Sequence, residues 1–182
     1  MCGIVGYIGS QKASPILLAG LSKLEYRGYD SAGLSVFENR NIITLKTSGR
    51  VSVLKEKSEE LYKKDIFCGI GHTRWATHGR PDIINCHPHG TENVMIVHNG
   101  IIENYALLKS LFPEDIFVSE TDTEVIAHIL DEKYRKTRNP IKELHYLNGC
   151  LNNKESVPKE DTSKVIQLGG KSLLYLFLKS RI

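Results

Sequence analysis

The chain has 182 residues, 41% hydrophobic and 25% charged, with a formal net charge of +3. That describes one ordinary globular domain with room for a real core. The small charge, with no basic stripe, argues against a nucleic-acid partner. The longest apolar run, Leu173 to Leu178, is too short to cross a bilayer, and the start lacks the basic region of a signal peptide. Four scattered cysteines (Cys2, Cys68, Cys86, Cys150) suggest neither a disulfide framework nor a zinc ribbon. A cytoplasmic protein without membrane contact is expected, where thiols stay reduced.

In chain order, Ile4 to Ile8 reads as a buried strand closed by Gly9-Ser10. Ser14-Pro15 looks like an N-cap followed by proline at the first helical position, and Leu17, Leu21 and Leu24 give that helix one apolar face. It stops near Arg27-Gly28. Ala32 to Phe37 and Ile42 to Thr47 form a hairpin about Glu38 to Asn41. Val51, Leu54 and Leu61 mark one lysine-rich surface helix. Phe67 to Thr73 and Val94 to His98 are strands, the second ending in an Asn99-Gly100 turn. Asn104 to Leu111 and Thr121 to Tyr134 are helices. The second opens on Thr121-Asp122-Thr123-Glu124, a capping-box pattern. Asn148 to Ser163 is polar and reads as a solvated loop, with one last strand at Leu173 to Leu178. The irregular alternation favours stacked sheets flanked by helices over a doubly wound parallel sheet.

The chemistry centres on Met1-Cys2-Gly3. Removal of Met1 would leave one residue carrying both a thiol, with reference pKa about 8.5, and an α-amino group at about 7.7–8.0. That amine can act as general base for its own thiol. Gly3 lets a substrate lie close. A small apolar Cys2 opening a strand is the competing reading, and on this residue alone the better one.

Other stretches carry functional and plain readings side by side. Arg27 to Gly33 is either a helix stop with an Arg–Asp pair or part of a site. Gly71 to Gly79 leaves a strand end crowded with polar groups, where Arg74 can grip a carboxylate in two parallel bonds and Thr77 can add a hydroxyl; it is otherwise a surface loop anchored by Trp75. Asn99-Gly100 is a plain turn or an oxyanion hole. Asp122 at a helix start satisfies the helix dipole and also suits a substrate ammonium. His78, Cys86, His87, His89 and His98 are close enough in sequence to be weighed as metal ligands. Their spacing lacks the tight pairs of zinc sites, so neither metal nor cofactor is expected.

Met1 to Gly6, Tyr26 to Gly33, His72 to Gly79, His87-Pro88-His89, His98 to Asn104 and Ser119 to Val125 together resemble the glutaminase domain of the glutamine–fructose-6-phosphate aminotransferases (isomerising), the glucosamine-6-phosphate synthases. These are class II glutamine amidotransferases. Amidophosphoribosyltransferase and asparagine synthetase share the Cys-Gly-Ile start but differ from Tyr26 to Ser31 and from Thr73 to His78. The resemblance implies an α+β, N-terminal-nucleophile hydrolase fold, a four-layer α/β/β/α sandwich, incomplete at its C-terminus. It assigns residues 1–145 to the amidotransferase domain. Residues 146–182 form a divergent tail, and no sugar-isomerase domain is visible.

The resemblance also implies the roles. Cys2 attacks the side-chain amide of L-glutamine and forms a glutamyl thioester, with Asn99 and Gly100 as the oxyanion hole. Arg74, Thr77 and His78 receive the glutamine carboxylate, and Gly100 and Asp122 its α-amino group. Arg27 helps place the N-terminus, and Trp75 lies where ammonia is gated toward a synthase site. Fructose 6-phosphate would be a partner only if sugar-isomerase domains were supplied elsewhere.

Overall fold

A computed structural model describes residues 2–39, 41–76, 80–112 and 117–139, together with the backbone of residues 168–178. Strands β1 (Gly3–Ile8), β2 (Ser31–Glu38), β3 (Asn41–Ser48) and β4 (Cys68–Arg74) form an antiparallel sheet in the order β1-β4-β2-β3. A second antiparallel sheet has the order β5-β6-β7, from His89–Gly90, Val94–Ile102 and Leu168–Leu178. Helices α1 (Ala13–Leu24), α2 (Val51–Lys57) and α3 (Glu59–Lys63) cover the first sheet, and α4 (Tyr105–Lys109) and α5 (Glu124–Thr137) cover the second.

Strand alternation explains the layers. On β6, Val94 and Ile96 turn toward Ile126, Ile129 and Leu130 of α5, while Met95 and Val97 turn toward Ile70 and Ile4 of the other sheet. Helix α1 buries Leu17, Leu18 and Leu21 completely or nearly so. It can lie close on β4 because Gly71 has no side chain; a Cβ there would stand 2.8 Å from the Leu21 Cδ1. The result is the expected α/β/β/α stack.

Local chemistry departs from the sequence reading at several points. β1 is an edge strand with Ile8 86% exposed, not a buried one. Helix α1 begins one residue before Ser14, whose hydroxyl is buried inside the first turn; the Ala13 N–H is satisfied by the Ile66 carbonyl at 2.7 Å instead of by a cap. The surface helix is broken at Ser58 into α2 and α3, where the Ser58 hydroxyl turns back to the Leu54 carbonyl at 2.5 Å. The capping box before α5 does not form. Thr121 bonds the Ser119 hydroxyl, and Glu124 accepts the Val118 and Ser119 N–H groups and the Ser119 hydroxyl at 3.0, 2.7 and 2.6 Å.

Asn99-Gly100 is not a turn. β6 runs straight through it to Ile102, with a bulge between Asn99 and Ile101. Bulges re-aim side chains, often beside active sites. Asn148 to Ser163 lies outside the described residues, whereas the strand expected at Leu173 to Leu178 is present and longer, pairing antiparallel with β6.

Candidate active site

The register of β1 on β4 sets Gly3 opposite Thr73, so Cys2 lies just past the strand end beside Arg74 and Trp75. The Gly3 N–H donates to the Thr73 hydroxyl at 3.1 Å. The Cys2 sulfur accepts the Trp75 N–H at 3.4 Å, and its own S–H faces the Trp75 carbonyl at 3.8 Å. Burial raises the thiol pKa above its ordinary value; the Trp75 N–H and the Arg74 charge oppose this, and Asp30 adds to it. Such a thiol stays protonated at neutral pH and needs a base.

From the other sheet, the Asn99 side-chain amide donates to the Cys2 carbonyl at 3.4 Å. Asn99 continues the Met95–Val97 face of β6, so strand alternation aims its amide at the Cys2 main chain. Arg74 is 4% exposed and donates to the Arg80 carbonyl at 2.9 Å. That loop is held by Asn85, whose amide reaches the Arg80 carbonyl and Glu120 at 3.2 and 3.1 Å.

Trp75 is half-exposed and meets Tyr29 edge-on at 5.6 Å. Arg27 ends a single 3₁₀ turn, Glu25–Arg27, and is partly buried. Asp122 is buried, accepting the Ile102 N–H at 2.7 Å and the Thr123 hydroxyl at 3.4 Å. Thr77 and His78 lie outside the described residues.

The sequence reading missed Asp30, Asn85 and Glu120. Asp30 takes the Ala76 N–H and the Ser31 hydroxyl, fixing the turn after Trp75. The Arg27–Asp30 stretch held a hint of this; nothing local marks Asn85 or Glu120.

Gly28 packs on the Arg74 main chain, where an added Cβ would stand 2.6 Å from the carbonyl carbon. Gly28→Ala is therefore expected to cost about 1–3 kcal/mol of stability by overpacking, and to impair the site through Arg74. Urea unfolding and steady-state kinetics measure the two effects.

Of the side chains weighed as metal ligands, His87 and His89 pack together with His72, and His78 lies outside the described residues. His72 and His87 lie face to face at 4.3 Å and His87 meets His89 at 4.4 Å, all buried. Among the described residues no group of three or more His, Cys, Asp or Glu side chains is arranged to hold a metal ion. Among them also, no helix is long and apolar enough to cross a membrane.

No protein-family model matches the chain. Among solved structures it is similar to the glutamine phosphoribosylpyrophosphate amidotransferase of B. subtilis (TM-score 0.69, 24% identity, 98% of this chain and 35% of that one). It is also similar to a glutamine aminotransferase class-II domain protein from Silicibacter pomeroyi (TM-score 0.51, 11% identity, 96% and 72%). At these identities the likeness is one of fold. Among curated proteins it is 55% identical over 138 residues to the glutamine–fructose-6-phosphate aminotransferase (isomerising) of Caldanaerobacter subterraneus subsp. tengcongensis, covering 74% of this chain and 22% of the relative. The same enzyme of Clostridium tetani is 56% identical over 140 residues, covering 74% and 23%.

With a cysteine beside a paired-sheet core and these neighbours, the chain is a class II glutamine amidotransferase domain of the N-terminal-nucleophile hydrolase fold. Within that class it belongs to the glutamine–fructose-6-phosphate aminotransferase (isomerising) family. It spans less than a quarter of the length of the curated relatives it matches.

Proposed function

We propose that the chain hydrolyses L-glutamine to L-glutamate and ammonia. The observation that carries this reading is the meeting of Cys2 with the Trp75 N–H on one side and the Asn99 amide on the other, from two different sheets. With Met1 removed, the α-amino group of Cys2 takes the thiol proton, directly or through a water. The sulfur adds to the γ-amide carbon of glutamine, and the C=O electron pair moves onto oxygen. Asn99 and Gly100 hold that oxyanion. The C–N bond then breaks, and the stored proton leaves with ammonia. Water hydrolyses the glutamyl thioester, returning the thiol.

Arg74, Thr77 and His78 bind the glutamine carboxylate, and Gly100 and Asp122 its α-ammonium. A zwitterion needs one clamp of each sign, and the burial of Arg74 and Asp122 supports those two assignments. Arg27 steadies the N-terminus through the turn that Gly28 seats on Arg74. Trp75, half-exposed against Tyr29, gates the departing ammonia.

Residues 1–145 supply the residues of this site, and β7 from the divergent 146–182 segment completes the sheet that carries Asn99. Transfer of the ammonia to fructose 6-phosphate requires sugar-isomerase domains. The working compartment is the cytoplasm, without nucleic acid or membrane as partner.

The test is equimolar, saturable release of glutamate and ammonia from L-glutamine by the purified chain, with L-asparagine as a poor substrate. No release would mark a non-catalytic member of the family.

A further inference from the structure

The bulged segment carrying Asn99 and Gly100 is tied at both flanks to the two residues just before α5. On one flank, the His98 Nδ1 lies 3.2 Å from the Thr123 hydroxyl. On the other, the Ile102 N–H donates to the Asp122 Oδ2 at 2.7 Å. His98 is itself held along its backbone, because its carbonyl accepts from the His72 Nε2 at 3.2 Å and its N–H donates to the His87 Nδ1 at 3.4 Å. All of these side chains are buried, Thr123 to 1% exposure and His98 to 3%.

The protons in this cluster have one consistent arrangement. The Thr123 hydroxyl donates to the Asp122 Oδ1 at 3.4 Å, so its oxygen is left to accept from His98. The His98 proton is then on Nδ1. Its Nε2, buried and without a hydrogen-bond partner among the described residues, is the bare nitrogen of a neutral ring, which agrees with the downward push that burial gives this imidazole.

We propose that His98 and Thr123 are positioning residues. The relay from His98 Nδ1–H through the Thr123 hydroxyl to Asp122 couples the ammonium clamp to the oxyanion segment, so that seating the α-ammonium of glutamine aligns Asn99 and Gly100. This rests on the function proposed above and adds a route by which substrate recognition sets the rate.

The experiment compares L-glutamine with glutaramate, which has the same terminal amide and carboxylate but no α-amino group, in wild type, Thr123→Val and Thr123→Ser. Thr123→Val keeps the shape and removes the relay. It is expected to lose about 10- to 100-fold in kcat/KM on L-glutamine, the worth of a hydrogen bond to a charged group. The loss is expected in kcat as well as KM, with less than about a 3-fold change on glutaramate; Thr123→Ser should restore glutamine turnover. A purely structural role would lower both substrates equally through the folded fraction. Equal losses, or none, would overturn the proposal while leaving the glutaminase reading intact. Absence of Cys2-dependent turnover in wild type would instead overturn that reading and the proposal with it. If Thr123→Val does not fold, Thr123→Ala carries the same expectation of a selective loss.

Discussion

Cys2→Ala is expected to lower glutamine turnover by on the order of 10⁴-fold or more while leaving the fold intact. Removing a covalent nucleophile abolishes the two-step route, and what survives is the modest catalysis of an oxyanion hole and a binding pocket. The structural cost is small because the sulfur makes only long contacts, 3.4 and 3.8 Å to the Trp75 main chain. Gly3 and Thr73 still register β1 on β4 without it. The unfolding midpoint in urea is therefore expected to move little. Retention of near wild-type turnover by the variant would mean that another group is the nucleophile.

Acidification is expected to unfold the protein between about pH 6.5 and pH 4.5. His72 and His89 are buried between the sheets, and burial lowers each to a pKa of about 3; burial also pushes His87 well below the ordinary histidine range. Lys46 and Arg74 face this cluster and add to the depression, whereas Glu124 and the His98 and Asn85 carbonyls oppose it. Between the unfolded value near 6.5 and the folded value near 3, the unfolded chain binds protons that the folded one excludes. Stability contributed by these rings is thus complete above about pH 6.5 and is lost as pH falls.

Each such ring contributes a slope of about 1.4 kcal/mol per pH unit, so His72 and His89 alone remove roughly 5 kcal/mol over two units, comparable to the whole stability of a modest domain. Glu124 acts in a lower window. Burial raises it, but His128 beside it and the bonds from Val118 and Ser119 outweigh that and hold it at about 2, so its contribution is lost only below about pH 4.5. Urea midpoints at pH 7.5, 6.5, 5.5 and 4.5 measure the effect. A flat profile would contradict three neutral rings buried in the core.

Much of this was legible in the sequence because the hydrophobic periods are strong. The apolar run from Val94 to Val97 and the leucine spacing of α1 gave strand and helix directly. For the candidate site, the sequence singled out Cys2, Arg74 and Asn99, which the fold brings near one another. The misreadings share a cause: local signals were overruled by partners distant in sequence. Asn99-Gly100 has the composition of a turn, yet β7 pairs across it and makes it a bulge. Thr121 to Glu124 has the composition of a capping box, but Glu124 finds better donors at Val118 and Ser119. Ser14 resembles a cap, but the Ile66 carbonyl already satisfies the helix start. The histidines raised the question of a metal because they are dense between residues 72 and 98; only three-dimensional packing shows that they stack and hold the His98 backbone. Asn85 and Glu120 are 35 positions apart and meet only in the fold.

The central claim is that Cys2 forms a covalent bond to the glutamyl group. The most direct measurement is intact-protein mass after mixing with L-glutamine and rapid acid quenching, with peptide mapping of the adduct. The expected result is a protein that begins at Cys2 and carries one glutamyl group on that residue, lost with time as glutamate appears. Turnover by a protein that retains Met1, or turnover with no adduct and no dependence on Cys2, would contradict it.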